Sequence, residues 1–250
     1  MGRCTYGGAK MNIVIGMCGM GNRFQEKGFK LPKYLISYNG APMIYHSVAT
    51  LKIPGKIHFI VKSEHLNKYS FLEKLLLSIG DVIIPCTQDT GGAAETLLLS
   101  KNYINPDESL LSINCDQFMN WNPQPFLSEL KREPGTCFIP TFKETSNKCS
   151  YVREDSNNLI VEVKEKVPIS DNATVGIYHW SKAKDFFVDA EKMIQDNQKQ
   201  NGEYYVAPVY NNTIARGIPV RKFEIQKNEF WPVGTPQDMM DFLNTNKNFD

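Results

Sequence analysis

Between residues 12 and 114, short apolar runs alternate with helix-length amphipathic patterns. That alternation restricts the fold more than any other feature of the chain. Residues 12–15, 58–61, 82–85 and 110–114 read as strands, and residues 43–51, 69–79 and 93–99 as helices between them. A β-α-β-α-β-α-β order implies a parallel sheet with helices over both faces. Ligands of such sheets gather at the carboxyl ends of the strands. A glycine-rich loop after the first strand and Asp116 after the fourth both fall there. The second half is less regular. Strands are predicted over 137–141, 150–152, 159–164, 174–180 and 220–225, a long helix over 182–197, and a last helix over 236–246 with Pro236 in its first turn. Together these make one α/β domain over 11–250 with an antiparallel insertion. Residues 1–10, "MGRCTYGGAK", lack an apolar h-region and read as a disordered leader or cloning remnant.

The net charge of +1 leaves no global field to attract nucleic acid or anionic lipid, so any anion must be held by local charge. Neither a nucleic acid nor a membrane is an expected partner. No apolar segment approaches the roughly 20 residues that span a bilayer. The six cysteines, at 4, 18, 86, 115, 137 and 149, show no C-x-x-C spacing and no zinc-like grouping with histidine. They read as free thiols in a reducing cytoplasm, with Cys115 and Cys137 as small buried hydrophobes. His46, His58, His65 and His179 are scattered and are given no catalytic role.

Residues 16–35, "GMCGMGNRFQEKGFKLPKYL", hold four glycines, one arginine and three lysines. Gly19 and Gly21 let the backbone approach an anion closely and adopt positive φ. Arg23 adds a planar fork of donors suited to phosphate oxygens. Pro32 stiffens the chain ahead of Lys33. An oligophosphate cradle satisfies this composition, and so does a tight turn carrying solvated charge. The loop is not a Walker A, because no G-K-[ST] closes it. Nor is it a dinucleotide fingerprint: Gly16, Gly19 and Gly21 miss the G-x-G-x-x-G spacing, and Val61 is followed by Lys62 rather than an acid.

The wider pattern is G-x-G-x-R-F…P-K-x-L…G-x-P-M-I, formed by Gly19, Gly21, Arg23 and Phe24, then Pro32, Lys33 and Leu35, then Gly40, Pro42, Met43 and Ile44. It resembles the amino-terminal signature of the nucleotidyltransferases that activate sugar 1-phosphates and related phosphates. Further blocks resembling that family follow in order up to about residue 245. The resemblance implies a Rossmann-like, mixed, mostly parallel sheet flanked by helices, of the nucleotide-diphospho-sugar transferase type, with an antiparallel acceptor-side insertion. It also implies an NTP and a phosphorylated small molecule as substrates, Mg²⁺ as cofactor, and a possible homo-oligomer.

Residue by residue, it assigns Met17, Cys18, Gly19, Met20, Gly21 and Asn22 to the nucleotide, with Arg23 on its β,γ-phosphates and Lys33 on the α-phosphate. "TQDTGGAAET" (87–96) resembles the base-reading segment, through Gln88, Gly91 and Gly92. "LLSINCDQF" (110–118) resembles the block whose strand-end carboxylate holds the metal, here Asp116, with Asn114 beside the nucleotide. "VEVKEKVPIS" (161–170) resembles the acceptor segment, with Lys166 on the acceptor phosphate and Glu165 on a hydroxyl. Gly176 in "ATVGIYHW" and Glu203 in "NGEYYVAPVYN" line the same subsite.

The closing block departs from the family. A second metal-binding Asp often stands two residues after the Trp there, but this chain reads Trp231-Pro232-Val233-Gly234-Thr235, with Asp238 further on. "NCDQF", "ATVGIY" and "NGEYYVAPVYN" together resemble a branch of surface-polysaccharide biosynthesis that includes a cytidylyltransferase acting on phosphoglutamine for capsule decoration. Two rival readings use the same strand-end Asp: a glycosyltransferase, which usually needs Asp-x-Asp where this chain has Asn114-Cys115-Asp116, and a nucleotide-binding regulator without turnover.

Overall fold

The computed structural model describes residues 10–19 and 21–245. Residues 1–9 of the expected leader, and Met20 of the expected nucleotide loop, lie outside the described residues. Ile13, Val14 and Ile15 are all fully buried, which a strand achieves at the centre of a sheet covered on both faces. Their strand, Met11–Gly16, runs parallel to Lys56–Lys62 on one side and to Ser109–Ile113 on the other. Val82–Cys86 pairs parallel with Lys56–Lys62 and forms that edge. Past Ser109–Ile113 the direction reverses. Ile177–Trp180 is antiparallel to it, followed by Cys137–Lys143, Asn172–Thr174, Ser150–Glu154 and Ile160–Glu165. Val220–Glu224 pairs parallel with Cys137–Lys143 and completes a ten-stranded mixed sheet.

Alternate side chains feed two cores, one on each face. Ile13, Ile15, Phe59, Leu72, Leu76, Trp121 and Phe126 belong to one, with the helices Met43–Leu51, Leu72–Ile79 and Gln124–Arg132. Val14, Ile60, Leu97, Trp180, Phe186 and Tyr210 belong to the other, with Ala93–Leu98, Ala183–Gln195 and Tyr210–Ala215. There the Trp180 and Tyr210 rings stack at 4.2 Å.

Two predicted elements differ from expectation. The helix expected over 69–79 begins only at Leu72 and ends at Ile79; Tyr69, at φ −114°, ψ 89°, lies outside the helical region and separates it from a further helix, Ser63–Lys68. The strand expected over 174–180 is broken at Gly176, whose φ of +77° turns the chain. Asn172–Thr174 pairs with Cys137–Lys143, whereas Ile177–Trp180 moves onto Ser109–Ile113. The elements without a sequence prediction include the pair Gln117–Met119 and Phe230–Pro232, and the helices Ser63–Lys68, Gln124–Arg132 and Tyr210–Ala215. Three-residue strands show no period, and prolines at 123 and 125 mask a helix that buries Phe126 and Leu127.

The edge strand Ile160–Glu165 is closed by side chains. The Asn211 carboxamide accepts from the Val163 N–H and donates to the Val163 C=O, both at 2.9 Å. Gln200 Oε1 accepts from the Glu165 N–H at 3.0 Å. The amides thus occupy positions that another strand would otherwise seek.

Candidate active site

Gly21 opens the short helix Asn22–Gln25 in the left-handed region, φ 67°, a conformation that glycine adopts without a Cβ clash. Phe24 is buried in a cluster with Met43, Val233 and Phe242, which fixes the loop to the body of the protein, and it meets Phe29 of the same loop edge-on at 5.3 Å. Arg23 is exposed and has no ion pair among the described residues. Met17 and Cys18 are buried. The Met17 N–H is already bonded to the Ile60 carbonyl at 2.9 Å. Burial, and then the neighbouring Cys86, push the Cys18 thiol far above its ordinary range, so it is a neutral wall rather than a nucleophile.

The same loop reaches the carboxyl end of Ser109–Ile113. Lys33 Nζ donates to Asp116 Oδ2 at 2.6 Å, joining residues 83 apart in sequence. Their side chains are 27% and 18% exposed, enough for both to meet a ligand. Burial pulls the Lys33 pKa down, but the Asp116 carboxylate outweighs it, and the net shift is upward; Lys33 is charged. A Cβ on Gly21 would stand 3.3 Å from the Lys33 Cβ, so the glycine loop and the lysine are adjacent. On the other side, Val233 N–H donates to the Asp116 carbonyl at 2.9 Å, and a Cβ on Gly234 would overlap the Asp116 carboxylate.

The base-segment residues sit on a loop tied down at both ends. Gln88 is exposed, and its carbonyl accepts from the Cys86 thiol at 3.0 Å. Lys62 holds Asp89 at 2.7 Å. Gly91 C=O accepts from the Tyr204 N–H, and Tyr204 C=O from the Ala94 N–H, both at 2.9 Å. Any Cβ on Gly92 would strike the Tyr204 backbone. The glycine turn is therefore required first by its contact with Tyr204.

On the acceptor side, Glu165 is buried and accepts from the Ser150 hydroxyl; burial raises its pKa. Lys166 has a left-handed φ of 56°, and its ammonium lies 4.0 Å from Glu165 Oε1, 2.9 Å from the Tyr205 hydroxyl and 4.8 Å from the Tyr205 ring centre. Glu203 is exposed. Gly176 faces the side chains of Asn114 and Gln117.

The sequence pattern that defines the nucleotidyl transferase family matches residues 13–248. The chain belongs to the nucleotidyl transferase family. It is 26% identical to a nucleoside-diphosphate-sugar pyrophosphorylase from Vibrio cholerae RC9, with a TM-score of 0.79 over 93% of this chain and 99% of that one. Two further solved structures share the fold: a putative glucose-1-phosphate thymidylyltransferase from Bacillus anthracis (TM-score 0.75, 23% identity, 96% of each chain) and the inositol-1-phosphate CTP transferase from T. maritima (TM-score 0.74, 15% identity, 97% and 98% of the two chains). Among curated proteins, the bifunctional protein GlmU of Aliarcobacter butzleri is 22% identical over 93% of this chain and 52% of its own length. A probable mannose-1-phosphate guanylyltransferase 3 from Oryza sativa is 23% identical over 67% of this chain and 49% of its own. The chain spans about half the length of these curated relatives.

Within this nucleotidyl transferase, the cation question turns on three residues. Among the described residues no three His, Cys, Asp or Glu side chains converge on one point. At the family's second-carboxylate position, Val233 is fully buried with Phe24, Tyr38 and Phe242. Asp238 does not substitute: it accepts from the Thr235 hydroxyl at 2.6 Å, and its N–H donates back to Thr235 Oγ1 at 3.1 Å, capping the helix Pro236–Thr245. Asp116 is the one acid left, in a space that Gly234 keeps clear. Mg²⁺ takes one or two carboxylates plus phosphate oxygens and water, so this donor set fits a cation that arrives with a triphosphate. Tyr204, Tyr205 and Lys62 were not singled out in the sequence. The block "NGEYYVAPVYN" carried the first two, but aromatic residues there could equally have been core.

Proposed function

We propose that this chain is a Mg²⁺-dependent nucleotidyltransferase. It joins a nucleoside triphosphate to a phosphorylated small-molecule acceptor and releases pyrophosphate, with residues 11–250 acting as a single catalytic domain in the cytoplasm. The 2.6 Å pair of Lys33 and Asp116, set against the Gly21 loop, carries this reading. An acceptor phosphate oxygen attacks the α-phosphorus, and the bond to the β-phosphate breaks in line. A phosphate dianion is already nucleophilic, so positioning and charge neutralisation do the work. Main-chain amides of residues 19–22 and the Arg23 fork hold the leaving β,γ-phosphates. Met17, Cys18 and Asn114 wall the nucleotide, and Gln88, Gly91 and Gly92 face the base. Lys33 neutralises the α-phosphate. Lys166 holds the acceptor phosphate, while Glu165, Glu203 and Gly176 line its remaining surface. Mg²⁺ held by Asp116 supplies Lewis-acid neutralisation of the phosphates.

The finer reading is a cytidylyltransferase of surface-polysaccharide biosynthesis, with CTP as nucleotide and phosphoglutamine as acceptor. The test is a pyrophosphate-release panel: ATP, CTP, GTP, UTP and dTTP, each with Mg²⁺, against glucose 1-phosphate, mannose 1-phosphate, inositol 1-phosphate and phosphoglutamine. Turnover of CTP with phosphoglutamine is the expected maximum. Turnover of another pair keeps the class and removes the finer reading. Val233 in place of a carboxylate favours a second reading, a nucleotide-binding regulator. Nucleotide-dependent thermal stabilisation with no pyrophosphate release from any pair would select it.

A further inference from the structure

Gln117 carries a buried carboxamide directly beside Asp116. It is 1% exposed, and neither its Nε2 nor its Oε1 has a hydrogen-bond partner among the described residues. Its main chain, by contrast, is fully served. Its strand partner, Pro232, has no N–H to give, and the Ser47 hydroxyl replaces it, donating to the Gln117 carbonyl at 3.0 Å and lying 3.2 Å from the Gln117 N–H. A buried carboxamide left open on both sides destabilises the free protein, and an apolar side chain of the same length would not. Its place in the fold gives the reason for keeping it. Gln117 directly follows Asp116, and its Oε1 lies 3.2 Å from the point where a Cβ on Gly176 would be. The Asn114 amide projects into that same missing volume, from an exposed residue whose side chain has no partner among the described residues.

We propose that Gln117 is a specificity-determining residue of the acceptor subsite. Its carboxamide reads a neutral substituent of the acceptor that both donates and accepts hydrogen bonds, uncovered when the Asn114 side chain swings off Gly176. The assignment rests on the nucleotidyltransferase reading. It adds that acceptors with only C–H groups at that position are rejected, because they leave the amide unpaired.

The test uses the full chain and the triphosphate–acceptor pair that turns over fastest in the panel above. Gln117→Met keeps length and removes both hydrogen-bonding atoms; Gln117→Leu serves as a second variant. The expected result is a melting temperature of the free protein at or above wild type. The acceptor KM should rise tenfold or more, while the triphosphate KM stays within twofold. A lower melting temperature with an unchanged acceptor KM, or failure of both variants to fold, assigns the amide to the scaffold and overturns the proposal. A wild-type chain that turns over no pair overturns the proposed function, and the Gln117 assignment with it.

Discussion

Gly234→Ala tests whether the Asp116 carboxylate is held where the chemistry needs it. The backbone at 234 is not left-handed, so the substitution carries no conformational penalty and acts through one methyl group. That methyl would overlap Asp116 Oδ2, the oxygen bonded to Lys33, and stand 3.3 Å from its Cγ. To reach ordinary contact the carboxylate must retreat by roughly 1 Å. It cannot retreat by a main-chain shift without stretching the 2.9 Å bond from Val233 N–H to the Asp116 carbonyl. Overpacking of this kind costs about 1–3 kcal/mol of stability. Displacement of a reacting group by about 1 Å costs about 10²-fold in rate. Urea denaturation measures the first, and kcat for pyrophosphate release at saturating substrates measures the second. The predicted signature is a loss in kcat far larger than the loss in folded protein at working temperature. A Gly234→Ala enzyme with wild-type kcat and wild-type midpoint would refute the reasoning, since the carboxylate would then be free to move without consequence.

Lys33→Ala should lower kcat by about 10²–10³-fold, as loss of a charged group aimed at developing phosphate charge does, while the acceptor KM changes little; a change confined to KM would contradict its placement at the α-phosphate. Asn211→Ala removes both bonds to the fully buried Val163 of the edge strand and should cost about 1–3 kcal/mol, with faster aggregation on heating followed by light scattering. Stability should fall as pH drops below about 6.5. Burial lowers His179 to about 3, and burial with nearby Lys56 lowers His58 to about 4, so the unfolded chain takes up protons that the folded chain refuses. The effect is absent above pH 6.5 and grows to about 2 kcal/mol per histidine by pH 5. Denaturation midpoints at pH 7.5 and pH 5 check it, and His179→Leu should flatten the slope; an unchanged slope would show that His179 is protonated in the fold.

The order of elements was legible because each strand of the parallel half is a run of apolar residues long enough to see, and because turns and glycines mark its ends. The glycine loop, Lys33 and Asp116 stand out as site candidates for another reason: residue type and spacing specify what chemistry a backbone turn, an ammonium and a carboxylate can offer, even when the distance between them is unknown. Gly176 in the sequence offers room for an acceptor; the structure adds that it switches a strand between two partners and admits the Asn114 amide. Gly92 in the sequence offers a base contact; the structure adds that it makes room for the Tyr204 backbone. Both glycines are local in sequence, and both reasons for them are not.

The sequence by itself determined which groups could bind phosphate and which α/β order could carry them, since period and composition are properties of short windows. Only the tertiary structure decided that Lys33 meets Asp116, that Val233 turns into an apolar cluster, and that Gln117 is buried with no hydrogen-bond partner among the described residues. Those outcomes depend on pairings between residues tens of positions apart, such as Gln117–Met119 with Phe230–Pro232. No window along the chain contains both members of such a pair, so burial, orientation and the cost of an unpaired amide exist only once the chain has closed on itself.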